Sequence, residues 1–87
     1  MLYNSFADYV VAKRAETNIT RSEMSRRAGV SPQYGMGIER GIHVPSVEVI
    51  ENLVRVLDMD EKTAFKLADK IPSRYYEEAK RKYFNEG

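Results

Sequence analysis

From Thr20 to His43 the chain gathers side chains that hydrogen-bond and carry positive charge, but none of the groupings that break covalent bonds. Gln33 offers a primary amide, able to donate and accept at once against the edge of an adenine. Tyr34 offers a phenol that can reach a phosphate and a ring that can pack on a thymine methyl. Arg21 and Arg40 supply guanidinium groups, and Thr20 and Ser31 supply hydroxyls. His43 is the only histidine. With no cysteine and no second imidazole it cannot build an ordinary zinc site, so it contacts a phosphate or faces solvent. No serine, histidine and acid fall into a nucleophilic arrangement, and no glycine-rich loop follows a strand. Gly35-Met36-Gly37 matches no cofactor pattern. We therefore expect no catalytic residue, no metal, no cofactor and no small-molecule ligand: a binding protein rather than an enzyme.

Such side chains are useful only on a rigid support, and the flanking residues predict one. Thr20 opens a capping box, its hydroxyl accepting from the Glu23 backbone N–H while the Glu23 carboxylate reaches back. Met24 and Ala28 then share a helical face. Gly29 stands where a helix ends in the left-handed conformation. Ser31 caps a following helix, and Pro32 suits its first position, whose N–H has no partner in any case. Gly41 closes that helix. Two short helices joined by a tight, glycine-containing turn form the helix-turn-helix signature.

The rest of the chain also reads as helical, because no stretch alternates with period two for long enough to make a strand. A first helix is expected from about Ser5 to Thr17, with Phe6, Val10 and Arg14 on one face, Tyr9 beside them and Asn18 as the stop. The second spans Arg21 to Ala28 and the third Pro32 to Arg40. Ser46 caps a fourth that runs to about Leu57 on a stripe of Ile50, Leu53, Val54 and Leu57. Asp58 or Asp60 starts a fifth, to about Lys70, with Ala64, Leu67, Ala68 and Ile71 periodic; Pro72 breaks it. Ser73 caps a sixth to about Phe84.

Eighty-seven residues make one small domain, 43% of them apolar. The net charge of +1 is unevenly spread. Residues 1–45 carry six basic and four acidic side chains, residues 46–61 one and five, and residues 62–87 seven and four. A surface facing a polyanion must therefore point away from residues 46–61. The start MLYNSFADYV has neither a basic n-region nor a long apolar h-region, and no apolar run is long enough to span a bilayer. A cytoplasmic protein without membrane contact is expected.

The threonine-capped TRSEM, the turn AGVS, the run SPQY, the closing IERG and the Pro-Ser before the fourth helix together resemble the phage-repressor or Xre type of helix-turn-helix regulator, over about residues 5–70. The resemblance implies an all-α, five-helix repressor-like domain that binds double-stranded operator DNA as a homodimer, with the third helix as its recognition helix. It puts Arg21 where the family often has a phosphate-touching glutamine, and Ser31 and Arg40 at the two ends of the recognition helix. It also implies an ion pair between Arg14, late in the first helix, and Glu39, near the end of the third.

Departures from the family pattern sharpen these expectations. Gly35 replaces the usual large aliphatic core residue, and Gly37 replaces a polar, DNA-facing one. Two glycines in so short a helix cost about 1 kcal/mol each relative to alanine. The expectation is a recognition helix that is short, distorted or frayed without DNA, with Met36 swinging into the vacated core. Pro32 and Gly37 offer no side-chain hydrogen bonds, and Ile42-His43-Val44 carries no lysine or arginine. Contacts that position the protein outnumber those that read bases, which implies modest affinity, steep salt dependence and indirect readout. Arg26 and Arg27 belong to a solvated face.

The domain is taken as residues 1–72 and a C-terminal helical tail as 73–87. Tyr75, Tyr76, Tyr83 and Phe84 make the tail aromatic, and packing on the domain's own helices is expected ahead of a contact between subunits or a basic arm. The leading reading is a small sequence-specific DNA-binding regulator that represses as a homodimer. The alternative is a protein-interaction module on the same scaffold, antitoxin-like or partner-binding.

Overall fold

A computed structural model describes residues 3–86, leaving aside the side chain of Glu86. It contains six helices and, among the described residues, no strand: α1 (Phe6–Thr17), α2 (Arg21–Ala28), α3 (Pro32–Glu39), α4 (Val47–Val56), α5 (Glu61–Ala68) and α6 (Ser73–Glu86). No described helix is long and apolar enough to cross a membrane.

Short polar side chains start the helices as their chemistry dictates. Ser5, Thr20, Ser31, Ser46 and Asp60 accept from the backbone N–H three residues on, satisfying donors the helix cannot use itself. The capping box on α2 is only half formed. Thr20 accepts from Glu23 N–H at 3.1 Å, but the Glu23 carboxylate turns to Arg26 (2.6 Å) and Arg27 (3.5 Å), because two guanidinium groups outcompete one backbone amide. Asn18, Gly29 and Asp69 end their helices in the left-handed conformation, and Asp58 turns the chain after α4 in the same way.

Phe6, Tyr9 and Val10 of α1, Met24 and Ala28 of α2, Ile38 of α3, Ile50, Leu53 and Leu57 of α4, and Ala64, Phe65 and Ala68 of α5 form one core. Helix α2 packs on α3 and α4, and α1 packs on α3 and α5. Polar ties fix the layers. The Tyr9 hydroxyl accepts from Asp60 N–H at 2.8 Å, which seats the start of α5 against α1. The Asn52 amide donates to Ala28 O at 3.1 Å, which holds α4 against the end of α2. On α5 the core position expected for Ile71 belongs to Phe65. The helix stops at Ala68, and Ile71 lies beyond it, 65% exposed.

Two expectations about the C-terminal segment are overturned. Ser73 does not cap α6 but begins it; its N–H and hydroxyl both donate to the Glu51 carboxylate of α4. A side chain from another helix thus supplies the cap. Nor do the tail's aromatics pack on the domain. Every residue from Ser73 to Asn85 is exposed, and α6 projects from the body of the molecule. Its first turn alone is anchored, by Glu51 and by the ion pair Arg74–Glu61 to α5.

Candidate nucleic-acid interface

Helix α3 is unbroken over its eight residues, so the expected distortion is absent. The two glycines explain why. Gly35 is buried against α2: a Cβ there would lie 1.9 Å from Ser25 Oγ and 3.1 Å from Ser25 Cβ. The space expected to be vacant is filled by the neighbouring helix, whose Ser25 is 1% exposed and donates to Arg21 O at 2.8 Å. Met36 is therefore not drawn inward. It lies half-buried on the outer surface, lining a shallow concavity with Arg21, Ser22, Pro32 and Gln33.

Gly37 is a close approach of a second kind. The His43 imidazole covers it, so a Cβ would lie 2.3 Å from His43 Cδ2. The same imidazole stacks on Tyr34 with ring centroids 4.6 Å apart and planes 3° from parallel. The chain returns to this position because Gly41, at φ 76°, lets Gly41 N–H donate to Ile38 O and Ile42 N–H donate to Gly37 O. The loop after α3 is thus folded back onto it. Tyr34 and His43 form one aromatic step beside α3, rather than two independent contacts.

At the end of α3, Glu39 joins three helices. Its side chain is 3% exposed and accepts from Arg14 Nε at 2.5 Å and Arg14 Nη2 at 3.3 Å. Arg14 also donates to Ile19 O. The ion pair implied by the resemblance is present, and it is larger than expected. Arg21 Nε donates at 2.8 Å to Glu39 Oε1, the oxygen that also accepts from Arg14 Nη2, so a residue expected to meet phosphate also braces α2 against α3. The Arg21 side chain remains 42% exposed, leaving its outer edge open to an anion.

At about 100° per residue Gln33, Met36 and Arg40 fall on one side of α3. Gln33 and Arg40 are exposed, and neither side chain has a hydrogen-bond partner among the described residues. Thr20 and Ser31 use their hydroxyl oxygens as caps, which leaves each O–H free to donate outward. The N-termini of α2 and α3, Arg21, Gln33 and Arg40 thus border one surface, with the Tyr34–His43 step at its side. The α6 groove lies elsewhere, among Val47, Ile71, Tyr75 and Ala79. Arg26 and Arg27 contribute little charge of their own. Hydrogen bonds from Arg26 hold the Glu23 carboxyl below its ordinary range, and that carboxylate offsets both guanidinium groups.

The helix-turn-helix domain family matches residues 6–64, from α1 into α5. This chain belongs to that family. The match covers both helices of the motif, and the domain is a DNA-binding one. No curated protein and no solved structure gives a significant match. Sequence reasoning missed Ser25 and the second partner of Glu39. A serine amid the apolar positions of α2, opposite a glycine on α3, is the signal that could have revealed the first.

Proposed function

We propose that this protein is a sequence-specific DNA-binding regulator that occupies an operator as a homodimer and represses from it, in the cytoplasm. Helix α3 is the element that enters the major groove. Gln33 reads a base, while Arg21, Arg40 and the N-termini of α2 and α3 hold phosphates; Thr20 and Ser31 add hydroxyl donors there. The Tyr34–His43 step contacts the sugar-phosphate edge. No catalytic chemistry is assigned to any residue. The observation that carries the reading is the unpartnered Gln33 amide on a regular, exposed α3 braced through Glu39.

Selection of bound sites from random duplexes tests it. Two half-sites about 34 Å apart, centre to centre, are expected. Recovery of no sequence preference, with no loss of retention as salt rises, would contradict it. A second reading, a partner-binding module on this scaffold, is favoured by one feature: Met36 exposes apolar surface where DNA contact would call for a donor. In that case Gln33→Ala leaves duplex retention unchanged.

A further inference from the structure

Ile71 is a large aliphatic side chain held out into solvent, 65% exposed, by a junction that is otherwise firmly tied. Asp69 stops α5 in the left-handed conformation, and Lys70 N–H donates to Phe65 O. Pro72 is buried, and Glu51 of α4 and Glu61 of α5 hold Ser73 and Arg74. The Arg74 guanidinium also lies over the Tyr75 ring, 4.5 Å from its centroid. Ile71 and Tyr75 are thus fixed in place, and they form the shared wall of two shallow apolar hollows. One lies between α4 and α6, lined by Val47 and Ala79; the other lies along α5, lined by Phe65 and Pro72. A contiguous exposed apolar surface of this kind marks an interaction site.

We propose that this two-part groove receives an acidic amphipathic helix of a partner protein. Large apolar side chains of the partner drop on either side of Ile71, and its carboxylates meet a row of lysines. This goes beyond the DNA reading and does not rest on it, because the groove shares no residue with the concavity on the α2–α3 surface.

Charge selects the occupant. Lys62, Lys66 and Lys70 follow one another at intervals of four along the α5 hollow. Lys62 and Lys66 are exposed and form no ion pair among the described residues. Lys70 Nζ donates to Pro45 O at 2.8 Å, a neutral acceptor that pins the ammonium without cancelling its charge. The carboxylates beside them do not restore balance. Glu61 is engaged by Arg74, which leaves Asp69 alone against three ammonium groups. An apolar partner without acids would leave these like charges facing one another, whereas an acidic one relieves them.

The same geometry favours a helix. Lys62 and Lys66 lie one turn apart on α5, which matches carboxylates one turn apart, and a helix sets its apolar anchors three or four residues apart on the adjoining edge. The α6 of a second copy would bring four basic and three acidic side chains, the wrong balance for this rim. A flat anionic lipid surface would satisfy the lysines but would not enter the hollows. Because the walls are fixed before the partner arrives, little ordering opposes binding.

Selection of random-sequence peptides displayed on phage, with the full chain as bait, tests the proposal. Enriched peptides are expected to combine Asp or Glu with large apolar residues three or four positions apart. Ile71→Asp is expected to weaken a selected peptide by more than about tenfold in fluorescence anisotropy, and Lys62→Glu with Lys66→Glu to do the same. All three positions are exposed, so helix content is expected to stay at the wild-type level. Ile71→Leu should retain binding. No enriched peptide, peptides without an acidic bias, or peptide binding that Ile71→Asp leaves intact would each overturn the proposal. So would either of two other occupants: a wild-type dimer in sedimentation equilibrium that Ile71→Asp dissociates, or vesicles of phosphatidylcholine with phosphatidylserine that retain wild type and release Ile71→Asp. Retention on duplex DNA keeps the two readings apart. Peptide binding without duplex retention removes the DNA reading alone, and duplex retention without peptide binding removes the groove alone.

Discussion

At Gly35 the missing side chain belongs to the packing of two helices. The Ser25 hydroxyl occupies the space a Cβ would need, so Gly35→Ala gains about 1 kcal/mol of helix propensity and loses more to overpacking, which costs about 1–3 kcal/mol. A net loss of about 1 kcal/mol is expected in urea unfolding. Adding Ser25→Ala removes the closest contact and should recover much of it; additive losses in the double variant would place the clash elsewhere. Gln33 and Arg40 are expected to fail differently. Gln33→Ala should relax preference at one base position at a cost of about 1–3 kcal/mol, whereas Arg40→Ala should weaken all duplexes alike and reduce the salt slope by about one. Competition between selected and scrambled duplexes distinguishes them. The caps at Thr20, Ser31 and Ser46 were legible from sequence because a hydroxyl and an N–H three residues on are local chemistry, whereas Ser73 was misread because its partner, Glu51, comes from another helix. The purposes of Gly35 and Gly37 were not legible, because each answers a side chain brought near only by folding: Ser25 from α2 and His43 from the returning loop.

Between elements, the Glu39 carboxylate does the joining, linking α1 through Arg14 and α2 through Arg21. Replacing it leaves a half-buried guanidinium without its partner, so Glu39→Gln should cost about 3 kcal/mol. Arg21→Ala should cost under about 1 kcal/mol, since that side chain is 42% exposed and water screens its pair. An Arg14–Glu39 double-mutant cycle should show strong coupling; near-zero coupling would reduce the pair to a bystander. Five helices were legible in position because apolar periodicity and cap residues agreed along each. The end of α5 was misjudged because Asp69 adopts the left-handed conformation and stops the helix before Ile71, which no periodicity reveals. The α5–α6 junction also sets an acid limit. The Arg74 hydrogen bonds hold Glu61 below its ordinary 4.5, and the Thr63 hydroxyl and N–H hold Asp60 below 3.8. A carboxyl with a depressed folded pKa stabilises the fold above its unfolded value, and this contribution is lost as pH falls through the folded one. Unfolding free energy should therefore fall below about pH 4.5, less steeply in Asp60→Asn; an unchanged slope in that variant would exclude Asp60 as a source.

Over the whole molecule, charge is sorted by face, and this bears on how binding responds to salt. The acidic stretch 46–61 runs from α4 to the first residue of α5, and the basic stretch 62–87 runs from the rest of α5 through α6, so the α2–α3 face must meet DNA largely with its own cations. Steep salt dependence was expected because positioning contacts outnumber base-reading ones, with Arg26 and Arg27 assigned to a solvated face. In the fold Glu23 engages Arg26 and Arg27, which leaves Arg21 and Arg40 as the cations of the candidate surface. Each phosphate neutralised by a cation contributes about −0.9 to the slope of log affinity against log salt. Two cations per copy in a dimer give a slope of about −4, and a monomer on one half-site about −2. Glu23→Gln frees Arg26 and Arg27 and should steepen the slope while raising affinity at low salt. If Glu23→Gln leaves both unchanged, those arginines lie outside the contact and DNA approaches nearer the α3 C-terminus. Fluorescence anisotropy titrations from about 50 to 200 mM salt, on wild type and on Glu23→Gln, measure the slope and its change together.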